Sequence, residues 1–212
     1  MIAIEGLEIE RDGRRILSLP EWRLDPGAHA ALVGPSGSGK TTLLNAIGGL
    51  TRPTRGRVTI DGRDLAAMGE AERDRYRGAH IGIVFQTLRL VRALTVSQNL
   101  ALALHLARRK PDPKRIADTL ERLGIARHAH SRPQRLSVGE MQRAAIARAV
   151  APGPRLILAD EPTSALDDAN AAAAIALLKS EAEAVGASLI VATHDRRISA
   201  AFSRTLTLEI QP

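Results

Sequence analysis

The chain of 212 residues has no cysteine, so disulfides and thiolate metal sites are excluded at once. Aromatic residues are nearly missing too: one tryptophan, one tyrosine and two phenylalanines amount to 2% of the sequence. Stacking platforms for nucleobases are therefore scarce. No apolar run approaches the ~20 residues that cross a bilayer; "AAAAIALL", residues 171–178, is among the longest. The opening "MIAIEGLEIE" carries glutamates early and lacks the basic-then-apolar order of a secretion signal. There is no surplus of acid either: 30 Lys and Arg against 23 Asp and Glu leave a formal net charge of +7. A basic balance suits nucleic acid or an anionic lipid leaflet, or reflects drift in an Ala- and Arg-rich chain. The arginines are dispersed rather than gathered in one block, so no nucleic-acid partner is expected. What remains is read as a cytosolic chain of about one domain, long enough to bury a core without a staple.

The first third alternates. "IAIEGLEIE", "RRILSL" and "HAALVG" read as short strands with turns at Gly13 and Gly27, and "GRVTIDGRDL" as a further hairpin edge, because apolar residues recur with period two between turn formers. "AERDRYR" reads as a short helix and "HIGIVFQ", ending at Gln86, as a buried strand. Residues 96–109, 114–123 and 137–150 read as helices broken by Pro111, Pro113, Gly124 and Pro133, with no strand pattern among them. The α/β alternation then resumes with the strand "RLILAD", a helix ending at Gly186, the strand "SLIVATH" and a closing strand "RTLTLEI". Strands alternating with helices argue a largely parallel sheet covered on both faces, with a helical lobe inserted into it.

One stretch carries chemistry by itself. "GPSGSGKTT" supplies Gly34, Pro35, Ser36, Gly37, Ser38, Gly39, Lys40, Thr41 and Thr42 between a strand and a helix. This is the phosphate-cradling pattern G-x-x-x-x-G-K-[ST] in its required context. Glycines let successive N–H groups face an anion, and the helix start adds partial positive charge. The Lys40 ammonium suits the β- and γ-phosphates, and the Thr41 hydroxyl suits Mg²⁺. A second station is "RLILADEP", an apolar strand ending in two acids. Asp160 suits Mg²⁺, and Glu161 suits the attacking water. Strand alternation is expected to send the two side chains to different places.

In this order, "GPSGSGKT", "VFQ", "LSVGEMQR", "LILADEP", "SALD" and "TH" cover nearly the whole chain. Together they resemble the nucleotide-binding subunit of an ABC transporter. "RGAHIGIVFQ" and "LTVSQNLALAL" most resemble the lipoprotein-release, macrolide-export and cell-division branch. The resemblance implies an α/β P-loop NTPase core of the RecA type, its mostly parallel sheet joined by an antiparallel β subdomain and an inserted helical subdomain. It divides the single ATPase domain, residues 1–212, into a core of 1–87 and 151–212 and a helical part of about 88–150. It implies ATP and Mg²⁺ as ligands, with Gln86 touching both the metal and the water. His194 would contact the γ-phosphate, and Asp167, closing "SALD", would lie across a dimer seam.

The stretch Ser137, Val138, Gly139 and Glu140 has two readings. Serine followed three residues later by glutamate is a capping box, a purely structural device. The resemblance implies that this helix start also faces ATP held by the P-loop of a second copy. Glu140 then restrains the loop until phosphate arrives. Two chains would pair head to tail around two ATP molecules, and a separate integral membrane permease would carry the cargo. The place implied is the cytoplasmic face of a bacterial inner membrane. Two features depart from the family pattern: Val138 stands where glycine is usual, and no aromatic ring precedes the P-loop to hold adenine. Arg11 or Asp12 is expected at that spot, while Trp22 reads as packing on an edge strand. Two rivals stand beside this reading. A non-transport ABC ATPase acting on nucleic acid would use the basic charge but usually carries long insertions, which are not visible here. A P-loop kinase would leave "LSVGE", "SALD" and His194 without roles.

Overall fold

The computed structural model describes residues 1–164 and 166–210. It opens with an antiparallel hairpin, β1 (Ile2–Arg11) and β2 (Arg14–Leu24). Ile2, Ile4, Leu7 and Ile9 of β1 are all buried, although the step from Ile4 to Leu7 breaks strict alternation. Gly6 absorbs the extra residue in a left-handed conformation (φ 55°), and the pairing register of β1 shifts across it. There follow β3 (His29–Val33), α1 (Lys40–Ile47), β4 (Arg55–Ile60), β5 (Arg63–Asp64), α2 (Glu70–His80) and β6 (Ile81–Val84). Three helices come next without an intervening strand: α3 (Val96–Leu106), α4 (Pro113–Arg122) and α5 (Val138–Val150). The chain ends with β7 (Leu156–Asp160), α6 (Asp168–Ala184), β8 (Ser188–Thr193), α7 (Arg196–Ser199) and β9 (Arg204–Thr207).

Two sheets result. The antiparallel one runs β2-β1-β4-β5 and the parallel one β6-β7-β8-β3-β9. The fold is therefore the expected α/β core with an antiparallel β part and a helical stretch between β6 and β7. All six residues of β8 are buried, as a strand covered on both faces demands. Its alternate residues feed two cores. Leu189 and Val191 join Ile157 and Ala159 of β7 beneath α3, α5 and α6. Ile190 and Ala192 join Leu156 and Leu158 beneath α1 and the antiparallel sheet. The P-loop helix is thus held between two sheets, while the helical stretch covers the opposite face.

Local chemistry sets the helix starts. Thr95 and Gln98 form a reciprocal capping box on α3, and Asp112 accepts from the Lys114 N–H at 2.9 Å to start α4. Caps of this kind contribute about 1 kcal/mol each. Some bounds differ from the sequence expectations. Helix α3 stops at Leu106 rather than 109, because the chain turns at Arg108 into a left-handed conformation (φ 55°). The closing strand ends at Thr207. Trp22 lies on β2, the edge of its sheet, partly buried against the second core.

Candidate functional site

The parallel strands bring their C-terminal ends to one edge, and neighbours in the sheet become neighbours in the site. β3 leads into the P-loop, β8 beside it delivers His194, β7 delivers Asp160 and Glu161, and β6 leads to Gln86. Such edges are where open α/β sheets place ligands. Here the edge borders a cleft of about 750 Å³ whose lining includes Ser36, Lys40, Thr41, Gln86, Glu161 and His194, a size suited to a small organic ligand.

The P-loop is shaped for an anion. Gly39 caps α1 in a left-handed conformation (φ 91°) and offers no side-chain hydrogen bond, so the first N–H groups of the helix lack a capping acceptor. At Gly34 an added Cβ would lie 2.5 Å from both the Leu208 carbonyl oxygen and the Ser38 hydroxyl; only glycine fits. Pro35, Ser36 and Gly37 are exposed, and Thr42 is half-buried and lines the cleft beside Thr41. Ser38 points inward. Its side chain is buried, its hydroxyl has no partner among the described residues, and its N–H donates to the Pro35 carbonyl at 3.2 Å. Ser38 therefore shapes the loop from beneath. The Lys40 ammonium donates to the Gly34 and Pro35 carbonyls at 2.8 and 3.0 Å, which stretches the side chain along the loop.

The acids sit across from this cradle. The Thr41 hydroxyl donates to Asp160 at 3.1 Å, so two oxygens suited to Mg²⁺ already adjoin. Burial raises the Asp160 carboxyl above its ordinary range, with the Thr41 hydrogen bond opposing it. A divalent cation would offset that desolvation. Among the described residues no group of three or more His, Asp or Glu side chains could hold a metal ion. Glu161 leaves the strand in a left-handed conformation (φ 45°), and its N–H donates to the Ala192 carbonyl at 2.9 Å. This turn, and not strand alternation, separates the two carboxylates. A non-glycine residue held there is strained by about 1–2 kcal/mol, and the neighbouring strand enforces it. The Glu161 side chain is 11% exposed, 3.9 Å from the Lys40 ammonium and 2.8 Å from His194 Nδ1.

Gln86 is exposed on the cleft wall. The kink after it holds Leu88 and Arg89 at φ 54° and 46°. Arg148, near the far end of α5, clamps this kink by donating to the Arg89 carbonyl and, at 2.9 Å, to the Leu88 carbonyl. Burial lowers the Arg148 pKa, with Arg89 adding to the effect.

The remaining expected residues lie outside this cleft. Ser137, Val138, Gly139 and Glu140 begin α5, with Ser137 exposed and Val138 47% exposed. The capping box is present: the Glu140 N–H donates to the Ser137 hydroxyl at 3.3 Å, and the Ser137 N–H donates to the Glu140 carboxylate at 2.9 Å. The Ser137 N–H, then Arg127, hold the Glu140 carboxyl down to about 2. Asp167 caps α6 through the Asn170 N–H at 2.9 Å, and that bond lowers its carboxyl below the ordinary range. In "SALD", Ala165 lies outside the described residues.

Three contributors were not found from sequence. Arg11 and Asp12 do not line the cleft; Asp12 (φ 52°) and Gly13 make the β1–β2 turn. Ile16, just beyond that turn, lines the cleft instead, and its apolar character before the P-loop was the available signal. Arg148 lies 62 positions from Gln86 in the chain, and Arg127 sits in a short turn with no local pattern to mark it.

Comparison with known proteins points one way. The family model described as "ABC transporter" matches residues 17–164. A lipoprotein-releasing system ATP-binding protein LolD from Chromohalobacter salexigens is 39% identical, aligned over 99% of this chain and 91% of the relative. Its counterpart from Anaeromyxobacter dehalogenans is 44% identical over 86% of this chain and 77% of the relative. The ATP-binding cassette MJ0796, solved as a dimer in a post-hydrolysis state with ADP and Pi, superposes with a TM-score of 0.89. That match has 33% identity and covers 100% of this chain and 97% of the other.

Proposed function

The chain belongs to the ABC transporter family, and from that premise we propose that it is the ATP-hydrolysing subunit of a lipoprotein-release-type transporter, working as a pair of identical chains. It acts as one ATPase domain, with residues 1–87 and 151–212 as core and 88–150 as helical part. The observation that carries the reading is one cleft lined by an anion cradle and a Glu161–His194 pair, with Asp160 bonded to Thr41 of its wall.

The chemistry proposed is in keeping with the geometry. The P-loop N–H groups and Lys40 bind the phosphates, and Ile16 offers an aliphatic wall where an aromatic ring is missing. Thr41, Gln86 and Asp160 would hold Mg²⁺, which neutralises charge shared between the β- and γ-phosphates. Glu161 orients water for in-line attack and accepts its proton. His194 steadies both Glu161 and the γ-phosphate. Ser137 and Gly139 come from the second copy, because in one chain they lie outside the cleft. The backbone at Val138 is less free than glycine, which sets that loop more rigidly. Asp167 lies at the seam between the two copies.

Among the described residues no helix is long and apolar enough to cross a membrane. A separate permease then spans the bilayer, and this chain sits peripherally on its cytoplasmic side. A groove of about 380 Å³ next to the Gln86 kink suits contact with that subunit. Its rim exposes Leu50 (44%), Val91 (39%) and Leu106 (62%), and Arg77, Arg89 and Arg148 also line it. Arg148 links this groove to α5, so docking there is joined mechanically to the Ser137 loop.

The test is recovery of the tagged chain from solubilised membranes. A membrane-spanning subunit should co-purify and be lost with Leu106→Glu. Recovery with nucleic acid instead, weakened by salt, would overturn the transport reading in favour of the non-transport rival.

A further inference from the structure

Glu140 is badly placed for the role proposed for its helix. Its Oε2 accepts hydrogen bonds from the Ser137 hydroxyl and the Ser137 N–H, each at 2.9 Å. Ser137 is the residue that the proposed function offers to a partner's γ-phosphate. A bare carboxylate beside an arriving triphosphate also repels it.

The capping box accounts for Oε2 alone. Oε1 meets the short turn Ala126–His128, where Arg127 Nη2 donates to it at 2.8 Å and His128 Nε2 lies 2.7 Å away. Arg127 Nε also donates to His128 Nε2 at 2.9 Å. A single ring nitrogen cannot accept from Arg127 and donate to Glu140 together. The constant partner of Oε1 is therefore the guanidinium, which stays charged at any physiological pH. Packing does not explain Arg127, whose side chain is 77% exposed, and an exposed ion pair adds little to stability.

We infer that Arg127 is a positioning residue for the shared phosphate site: bound to Oε1, it neutralises the Glu140 carboxylate, so that the Ser137 hydroxyl, which donates to Oε2 in the single chain, can be given up to the nucleotide of the other copy. This rests on the reading that the Ser137 loop completes a partner's site. Arg127 acts through Glu140 and need not touch the nucleotide. Its effect must therefore vanish when Glu140 carries no charge.

That dependence sets the experiment. In the 212-residue chain carrying Glu161→Gln, which should hold ATP without turning it over, sedimentation velocity gives the ATP concentration that half-converts monomer to dimer. Arg127→Ala should raise that concentration about three- to tenfold, the size of one unscreened charge at close range. Arg127→Lys should recover most of the loss, and raised salt should shrink it. With Glu140→Gln also present, Arg127→Ala should change nothing. An equal shift in both backgrounds, or none in either, overturns the inference while leaving the shared site standing. Failure of the Glu161→Gln chain to dimerise at saturating ATP overturns the shared site and this inference with it.

Discussion

Replacing Lys40 by methionine keeps the stem of the side chain and removes its charge. In the folded chain the ammonium donates to the Gly34 and Pro35 carbonyls at 2.8 and 3.0 Å and stands 3.9 Å from Glu161, with 8% of the side chain exposed. Of its three protons, two already have acceptors. Phosphate oxygens gain the third directly and the others only by exchange with those carbonyls. The net gain is then one or two charge-assisted hydrogen bonds, about 1.5–3 kcal/mol each before the exchange is subtracted. We expect a loss of about 2–4 kcal/mol, or roughly 30- to 1000-fold in ATP affinity. The empty chain should change stability by no more than about 1 kcal/mol, because the freed carbonyls face a cleft that water can enter. Calorimetric titration of ATP into Glu161→Gln and Lys40→Met/Glu161→Gln chains reads the affinity, and thermal melts confirm the fold. Unchanged affinity in a folded protein would refute the reasoning.

Other consequences follow from the same geometry. Gly34→Ala and Gly37→Ala should differ in urea unfolding. Both force alanine into conformations that favour glycine, at about 1–2 kcal/mol. Only Gly34→Ala also pushes a Cβ within 2.5 Å of the Leu208 carbonyl, which adds about 1–3 kcal/mol; equal losses would contradict the loop geometry. Asp160 gives a pH signature. Burial raises its folded pKa above the unfolded value, so the fold binds the extra proton, and stability falls as pH rises from the ordinary carboxylate range through the raised value. Asp160→Asn should flatten that slope and melt higher than the parent at neutral pH without nucleotide, while abolishing Mg²⁺-dependent turnover. A lower melting temperature at neutral pH would contradict it.

What the sequence shows and what it hides divide along physical lines. The P-loop was legible because a backbone cradle needs glycines at fixed spacing, and spacing is written in the chain. The buried runs of β7 and β8 were legible because strands covered on both faces leave little room for polar residues. The order β6-β7-β8-β3-β9 was not, since it depends on how crossovers pack in space. The turn at Glu161 escaped as well, because a strained conformation is imposed by the neighbouring Ala192 carbonyl rather than by a turn-forming residue. Ile16 replaces the expected Arg11 or Asp12 because the Asp12–Gly13 turn takes those positions out of the cleft. The Arg127–Glu140 and Arg148–Leu88 contacts join arginines to distant partners, and nothing local distinguishes these arginines from the dispersed others.

The central claim is that each working site is built from two chains. It is tested most directly by the specific ATPase rate of the purified protein under serial dilution at saturating Mg²⁺-ATP. The account predicts that the rate per chain falls as dilution separates the pairs and returns on reconcentration. A rate per chain that stays constant to the lowest measurable concentration, with the protein monomeric there, would contradict it.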